Sequence, residues 1–425
     1  MRFVAQLAPA VVLLLLACGE AEPPERTETA APLPVGPLPL GTAPPAPPDL
    51  DRALLLAVSV FPPGPDGKPG KEPGAATLII LRREGGRWQH EVLEDPESNV
   101  FHKALPYQLL GEEPGILTIS GNAARLRLWH RSGRGWRSRT LWAPVFGGKH
   151  NRLRDMELAD LDGDGRDEIV LATHDQGVVA IVDPGPSGVE VRELDRSPDT
   201  FVHEVEVGDL DGDGSLELLA TPSNPNRFTD DPQPGRVIRY TLDGKMTVFA
   251  DFGERHAKEV LVVDLDGDGL PEVYASVEGR LQGGVRTESV EIRRIDRPGG
   301  SGRTVVTLDD LLCRFLVPGD VDGDGQTEIV AATFRSGLWL LRPREGGWWK
   351  AQIDADSSSF EHATILADLD GDGRDEIYVA ADDQGAVRRY VYTGEGFGRE
   401  EIFRFPPELR GFTWNITTAP VELTR

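Results

Sequence analysis

The chain has 425 residues, with 70 Asp and Glu against 45 Lys and Arg, for a formal net charge of −25. That balance excludes nucleic acid as a partner, because phosphate neutralisation needs a basic face, and it disfavours electrostatic docking on anionic membranes. The only cysteines are Cys18 and Cys313, so modification of the first leaves no intramolecular disulfide, and stability must come from packing and bound ions.

Met1 and Arg2 precede an apolar run at 11–17 that is too short to span a bilayer as a stable helix, so 1–17 reads as a signal peptide. The run ends in Leu15-Leu16-Ala17-Cys18, which resembles the lipobox of bacterial lipoproteins. The resemblance implies lipidation of Cys18 as the first mature residue. Gly19 stands where an Asp favours inner-membrane retention in Gram-negative bacteria, so the expected address is the outer membrane, reached by export. Several acyl chains on one Cys anchor stably where one does not. Residues 18–50, dense in Pro, Ala and Glu and without apolar periodicity, read as a semi-rigid tether.

From Asp51 onward one unit recurs. Asp160-Leu-Asp-Gly-Asp-Gly-Arg-Asp-Glu168 returns with small changes at Asp209, Asp264, Asp320 and Asp368, spaced by 49, 55, 56 and 48 residues. A period near fifty marks an array of supersecondary units, each burying its face against the next. Within one unit, 203–208, 216–221, 236–241 and 245–251 are short runs rich in Val, Ile and Tyr, separated by Gly, Asp and Pro, and no stretch has a helical period. Four short strands per unit around an axis predict an all-β fold, a β-propeller. Residues 101–119 keep the strand-turn-strand frame but place Gln108, Leu110 and Glu112 where the first three loop carboxylates belong, which predicts a blade without an ion. Residues 78–88 match 338–349, so the chain begins inside a blade, and 412–421 is its missing inner strand, Trp414 lying 52 residues after His362. The expectation is seven blades, with six or eight as alternatives, closed by both termini without a free sheet edge.

The loops predict a hard-cation site. Calcium takes six to eight oxygens at about 2.3–2.6 Å, and a tight turn aims alternate side chains at one centre. The candidate ligands are Asp160, Asp162, Asp164, Arg166 and Glu168; Asp209, Asp211, Asp213, Ser215 and Glu217; Asp264, Asp266, Asp268, Leu270 and Glu272; Asp320, Asp322, Asp324, Gln326 and Glu328; and Asp368, Asp370, Asp372, Arg374 and Glu376. The fourth residue of each set, at the seventh loop position, serves through its backbone carbonyl. A solvated acidic turn is the alternative for any single copy. Five bound Ca²⁺ would bring the net charge from −25 to about −15.

These loops resemble the FG-GAP and VCBS repeats of integrin α-subunit propellers, rhamnogalacturonan lyases and many bacterial surface proteins. The resemblance covers Asp51 to the C-terminus and implies calcium in a propeller; the fold hosts adhesion modules, lyases and scaffolds alike. The chain departs from the commoner pattern by closing each loop with Glu instead of Asp.

A second register is basic. Six residues before each first loop Asp stand Arg154, His203, Lys258, Arg314 and His362, with His102 at the matching place in the degenerate blade. At about 3.3 Å per residue they lie about 20 Å from the loops, at the opposite mouth of the channel. One reading is a ring for an anionic or hydroxyl-rich ligand; the other is salt bridging between blades through Asp155, Glu204 and Glu259. His150, Arg152, His174, Asp175, Asn226, Arg227, His256, Arg335, Asp382 and Asp383 are expected at the same face. The function read from this is a monomeric cell-surface module for a glycan or protein ligand. The alternative is a polysaccharide lyase using the basic residues, and a pocket shared by His203 with Arg154 or Lys258 favours it.

Overall fold

The computed structural model describes residues 36–62, 70, 72–185, 188–224 and 230–425, so the signal segment, Cys18, Asn226 and Arg227 lie outside the described residues. The described chain forms a seven-bladed β-propeller, each blade a four-stranded antiparallel sheet. Blade 3, for example, runs Leu153–Ala159, Glu168–Thr173, Val179–Gly185 and Gly188–Asp195, from first strand to last. Blades 2, 4, 5, 6 and 7 begin at Val100, Phe201, Ala257, Cys313 and Thr364. Blade 5 adds a hairpin, Arg280–Gln282 with Val285–Glu288, between its second and third strands.

The second strands of blades 2, 3, 5, 6 and 7 are buried throughout, and those of blades 1 and 4 at all but one residue, which explains why they read as continuous apolar runs. Their two faces serve different cores. Ile169 and Leu171 pack toward blade 2 with Leu117 and Leu126, whereas Val170 and Ala172 pack toward blade 4 with Val202 and Leu218. The same division repeats around the ring, giving a hydrophobic core at each of the seven blade junctions. Strand period two thus becomes side-to-side packing of blades.

Blade 1 is closed as expected. Its three N-terminal strands start at Arg52, and Gly411–Pro420 pairs antiparallel with Arg52–Val60, from Arg52 opposite Pro420 to Val60 opposite Gly411. The tether expectation needs correction from Leu38 onward. Leu40–Thr42 pairs parallel with the outer strand of blade 7, and Leu38, Ala46 and Leu50 are buried. Proline-rich backbone offers carbonyls with few N–H groups, and here edge donors satisfy them: Arg389 Nη1 reaches Pro44 at 3.0 Å, Arg83 Nε reaches Pro47 at 2.7 Å and Gly86 N reaches Pro48 at 2.8 Å.

Candidate functional site

The two registers sit at opposite ends of the first strands. At one end the five loops share a single hydrogen-bonded frame. In the blade 4 loop, Asp209 accepts the N–H groups of Gly212 at 2.8 Å and Gly214 at 2.9 Å, with φ of 74° and 86° at those glycines, a conformation that a side chain penalises. The buried Glu217 accepts the N–H of Leu210 at 3.0 Å and locks the loop to the second strand. Glu168, Glu272, Glu328 and Glu376 do the same for Leu161, Leu265, Val321 and Leu369.

Carboxylate oxygens converge in every loop. Asp160, Asp162 and Glu168, then Asp209, Asp211 and Glu217, and Asp320, Asp322 and Glu328 each bring oxygens within 4.8 Å of one another, as do Asp264, Asp266 and Asp268, and Asp368, Asp370 and Asp372. Oxygens coordinated at about 2.4 Å are separated by at most about 4.8 Å, so the all-oxygen sets fit a hard cation such as Ca²⁺. The fifth-position Asp also accepts the seventh residue's N–H, at 2.8 Å for Ser215 and 3.0 Å for Arg166 and Arg374. The side chains of Arg166 and Arg374 fold back on Asp164 and Asp372, and that of Gln326 on Asp324. Four loops receive an arginine from the third strand that spacing alone did not reveal. Arg239 bonds Asp211 and Glu217, Arg342 bonds Asp322 and pairs with Glu328, Arg389 bonds Asp370 and Glu376, and Arg294 pairs with Glu272. Burial, opposed by Arg342 and reinforced by Asp322, pushes Glu328 up to about 8.

At the other end lies a cavity of about 760 Å³ lined by Arg154, His203, Lys258 and Arg314, from the first strands of four successive blades, with Phe360 and Glu361 ahead of blade 7 and Trp414 from blade 1. Contributions from six blades place it on the propeller axis. His150, His174, Asp175 and Phe201 complete one wall. His174 stacks on Phe201 at 4.3 Å and meets His203 at 5.0 Å; the Arg154 guanidinium lies 5.6 Å from the Trp414 ring and that of Arg314 4.6 Å from Phe360.

Buried hydrogen-bonding atoms of this cavity lack partners among the described residues: Lys258 Nζ, Arg154 Nε, Arg314 Nη2 and both ring nitrogens of His174 and His203. Burial, then the neighbouring Arg314, holds the Lys258 amine well below the usual lysine range. Burial lowers His174 and His203 as well, helped by Arg154 and Lys258 respectively.

The other expected residues separate from this group. His362 is fully buried, its Nδ1 2.7 Å from the Thr333 carbonyl and Nε2 2.8 Å from Ser357 Oγ, and His102 packs behind the wall with Nδ1 2.6 Å from the Leu153 carbonyl. His256 faces Glu278 at 3.6 Å. Arg152 is not among the cavity lining, although Asp175 is its strongest attractive neighbour. Asp382 bonds Ser359 and Thr413, while Asp383 bonds Ser358 and pairs with Arg335, which lines a separate cavity of about 410 Å³.

The salt-bridge partners also differ from those expected. Asp155 takes Lys103 at 3.1 Å and Glu259 takes the N–H of Leu316 at 2.8 Å, whereas the ring cations use Glu361 and Glu278. Neither acid stands in the repeated register. Trp414 does stand in it, one repeat after His362, and was available as the seventh ring position.

The FG-GAP-like repeat family matches residues 160–220 and 320–379. A rhamnogalacturonan endolyase of Bacillus subtilis, YesW, is 29% identical over 256 residues, which is 46% of this chain and 40% of the lyase. A rhamnogalacturonan exolyase of the same organism, YesX, is 26% identical over 246 residues, 44% of this chain and 39% of the relative. The chain thus spans about two fifths of the length of either lyase. Among solved structures, an Agrocybe aegerita lectin specific for non-reducing terminal N-acetylglucosamine shares the fold at a TM-score of 0.51 and 14% identity, over 90% of this chain and 96% of the lectin.

Proposed function

We propose that this chain, a β-propeller built of FG-GAP-like repeats, is a calcium-stabilised module that binds a carboxylated saccharide at the axial cavity. The observation that carries the reading is the set of buried donors without partners among the described residues, Arg154 Nε, Lys258 Nζ and Arg314 Nη2, enclosed by Phe201, Phe360 and Trp414. Buried donors left without an acceptor are costly, a carboxylate supplies acceptors for several at once, and aromatic walls suit the apolar faces of sugar rings. Two relatives named as rhamnogalacturonan lyases point to the same ligand class, a uronate-containing glycan. Calorimetric titration with trigalacturonate tests the reading. Lys258→Met, which keeps the apolar stem, is expected to weaken binding about tenfold or more without unfolding the domain, since a charged hydrogen bond is lost. Equal binding by parent and variant refutes it.

One observation favours lyase action on the same ligand. The Lys258 amine, held well below its usual range, has the character of a base for the proton α to a uronate carboxylate, with Arg154 and Arg314 placed to stabilise the enolate. Appearance of unsaturated uronate absorbance with the parent, and its loss in Lys258→Met, checks this reading.

The loops are proposed to take about five Ca²⁺. Binding to the native state alone raises stability by mass action, so chelator is expected to lower Tm, and an unchanged melting curve in EDTA would sink the assignment. The protein is proposed to be exported and held at the outer membrane through lipid on Cys18, and Cys18→Ser should release it to the soluble fraction.

A further inference from the structure

The cavity is held together by two carboxylates from outside the basic register. Glu361, 2% exposed, lines the cavity and accepts Arg314 Nη1 at 2.7 Å and Arg154 Nη2 at 3.4 Å, so one carboxylate joins blades 6 and 3 across the axis. Glu278 accepts Arg314 Nε at 3.2 Å and faces His256, and it is not part of the cavity wall. Among the described residues, Asp175 accepts the His150 N–H and has Arg152 as a charged neighbour, and the remaining charges of the lining, Lys149, Asp199 and Asp231, are exposed at the rim, where solvent screens them.

The buried charges therefore have a fixed capacity. Arg154 and Arg314 balance Glu361 and Glu278, and Lys258 supplies one further positive charge as an anion arrives. Burial and the neighbouring cations hold His174 and His203 well below the usual histidine range, so they are the weaker candidates for a charge. Uncompensated charge in a low-dielectric site is costly, so one incoming carboxylate completes the set and a second negative charge finds no buried partner among the described residues. Glu361 cannot turn away from that second charge without giving up both guanidiniums.

Accepting the cavity as an anion site, we infer that Glu361 sets the charge of the ligand, admitting singly charged carboxylates and turning away doubly charged phosphoryl groups. The wall acts on each ligand charge separately. If Glu361→Gln raises the affinity for a monoanion about threefold, a dianion gains about the square of that, near tenfold. Glutamine keeps the shape and one acceptor oxygen for Arg314.

The test titrates glucuronate and glucose phosphate into the parent and into Glu361→Gln. The parent is expected to prefer glucuronate, and the variant to gain more for the phosphate than for the uronate. The parent alone gives a second measurement: as the phosphate loses its second proton near pH ~6, its affinity relative to glucuronate should fall. That ratio also decides the matter should the variant fail to fold. A folded variant that loses or gains both ligands alike, or a parental ratio that stays level through the proton loss, overturns the inference while leaving the anion site standing. A parent that binds neither sugar acid nor trigalacturonate brings down the underlying reading with it.

Discussion

His362 shows how a residue in the basic register can be turned from ligand recognition to stability. It has a positive φ of 60°, is fully buried, and presents one ring nitrogen to the Thr333 carbonyl and the other to Ser357. Burial holds it down to about 4, from an ordinary 6.5. The unfolded chain takes up the proton first as pH drops, so the stabilisation is complete above about 6.5 and drains away toward 4, amounting to roughly 3 kcal/mol at full extent. Chemical denaturation across that window is expected to show stability falling with acid, with a shallower slope in His362→Asn, which tolerates the positive φ. The register itself was legible in the sequence, since Arg154, His203, Lys258 and Arg314 recur at one offset and meet in one cavity. Which members of the register turn inward was not, because the choice depends on local turns such as the one that seats His362 against Thr333. Glu361 was hidden for another reason: its partners lie 47 and 207 residues away, and no repeat offset connects them.

Among the elements, the loops were the most legible, because nine contiguous residues carry both the frame and the ligands. What the third strand brings to each loop was not visible. Blades 4, 5, 6 and 7 supply Arg239, Arg294, Arg342 and Arg389, while blade 3 brings Asp183 near Glu168 and no arginine bonds that glutamate among the described residues. An arginine already neutralises four of the carboxylate clusters in part, so those loops depend less on a metal to stay folded. Arg342→Met is therefore expected to depress Tm strongly in chelator, by the equivalent of about 2–4 kcal/mol for a partner lost from buried Glu328, and to stay close to the parent when calcium is saturating. Melting curves under the two conditions check it; an equal loss in both would show that the guanidinium, and not the ion, organises the loop.

For the whole molecule, the count of seven followed from the repeat period once the incomplete N-terminal unit was matched to a C-terminal strand. The structure supplies the reason for the match: the core between blades 7 and 1 and the core between blades 1 and 2 both need the sheet that Gly411–Pro420 completes. Removing 411–425 should therefore unfold the domain as a unit, read as loss of the cooperative transition at any temperature where the parent is folded; a soluble truncated protein melting like the parent would show that the ring closes without it.

The docking of residues 38–50 was illegible because proline-rich composition describes what a segment cannot form by itself and is silent about the donors it meets, here Arg83, Arg389 and an exposed sheet edge. That docking also decides how the molecule carries mechanical load. Tension on the N-terminus reaches Leu38 and the three pairs of Leu40–Thr42 before it reaches Arg52, so the strap bears and releases force first, and the strand that closes the ring stays unloaded until the strap has peeled away.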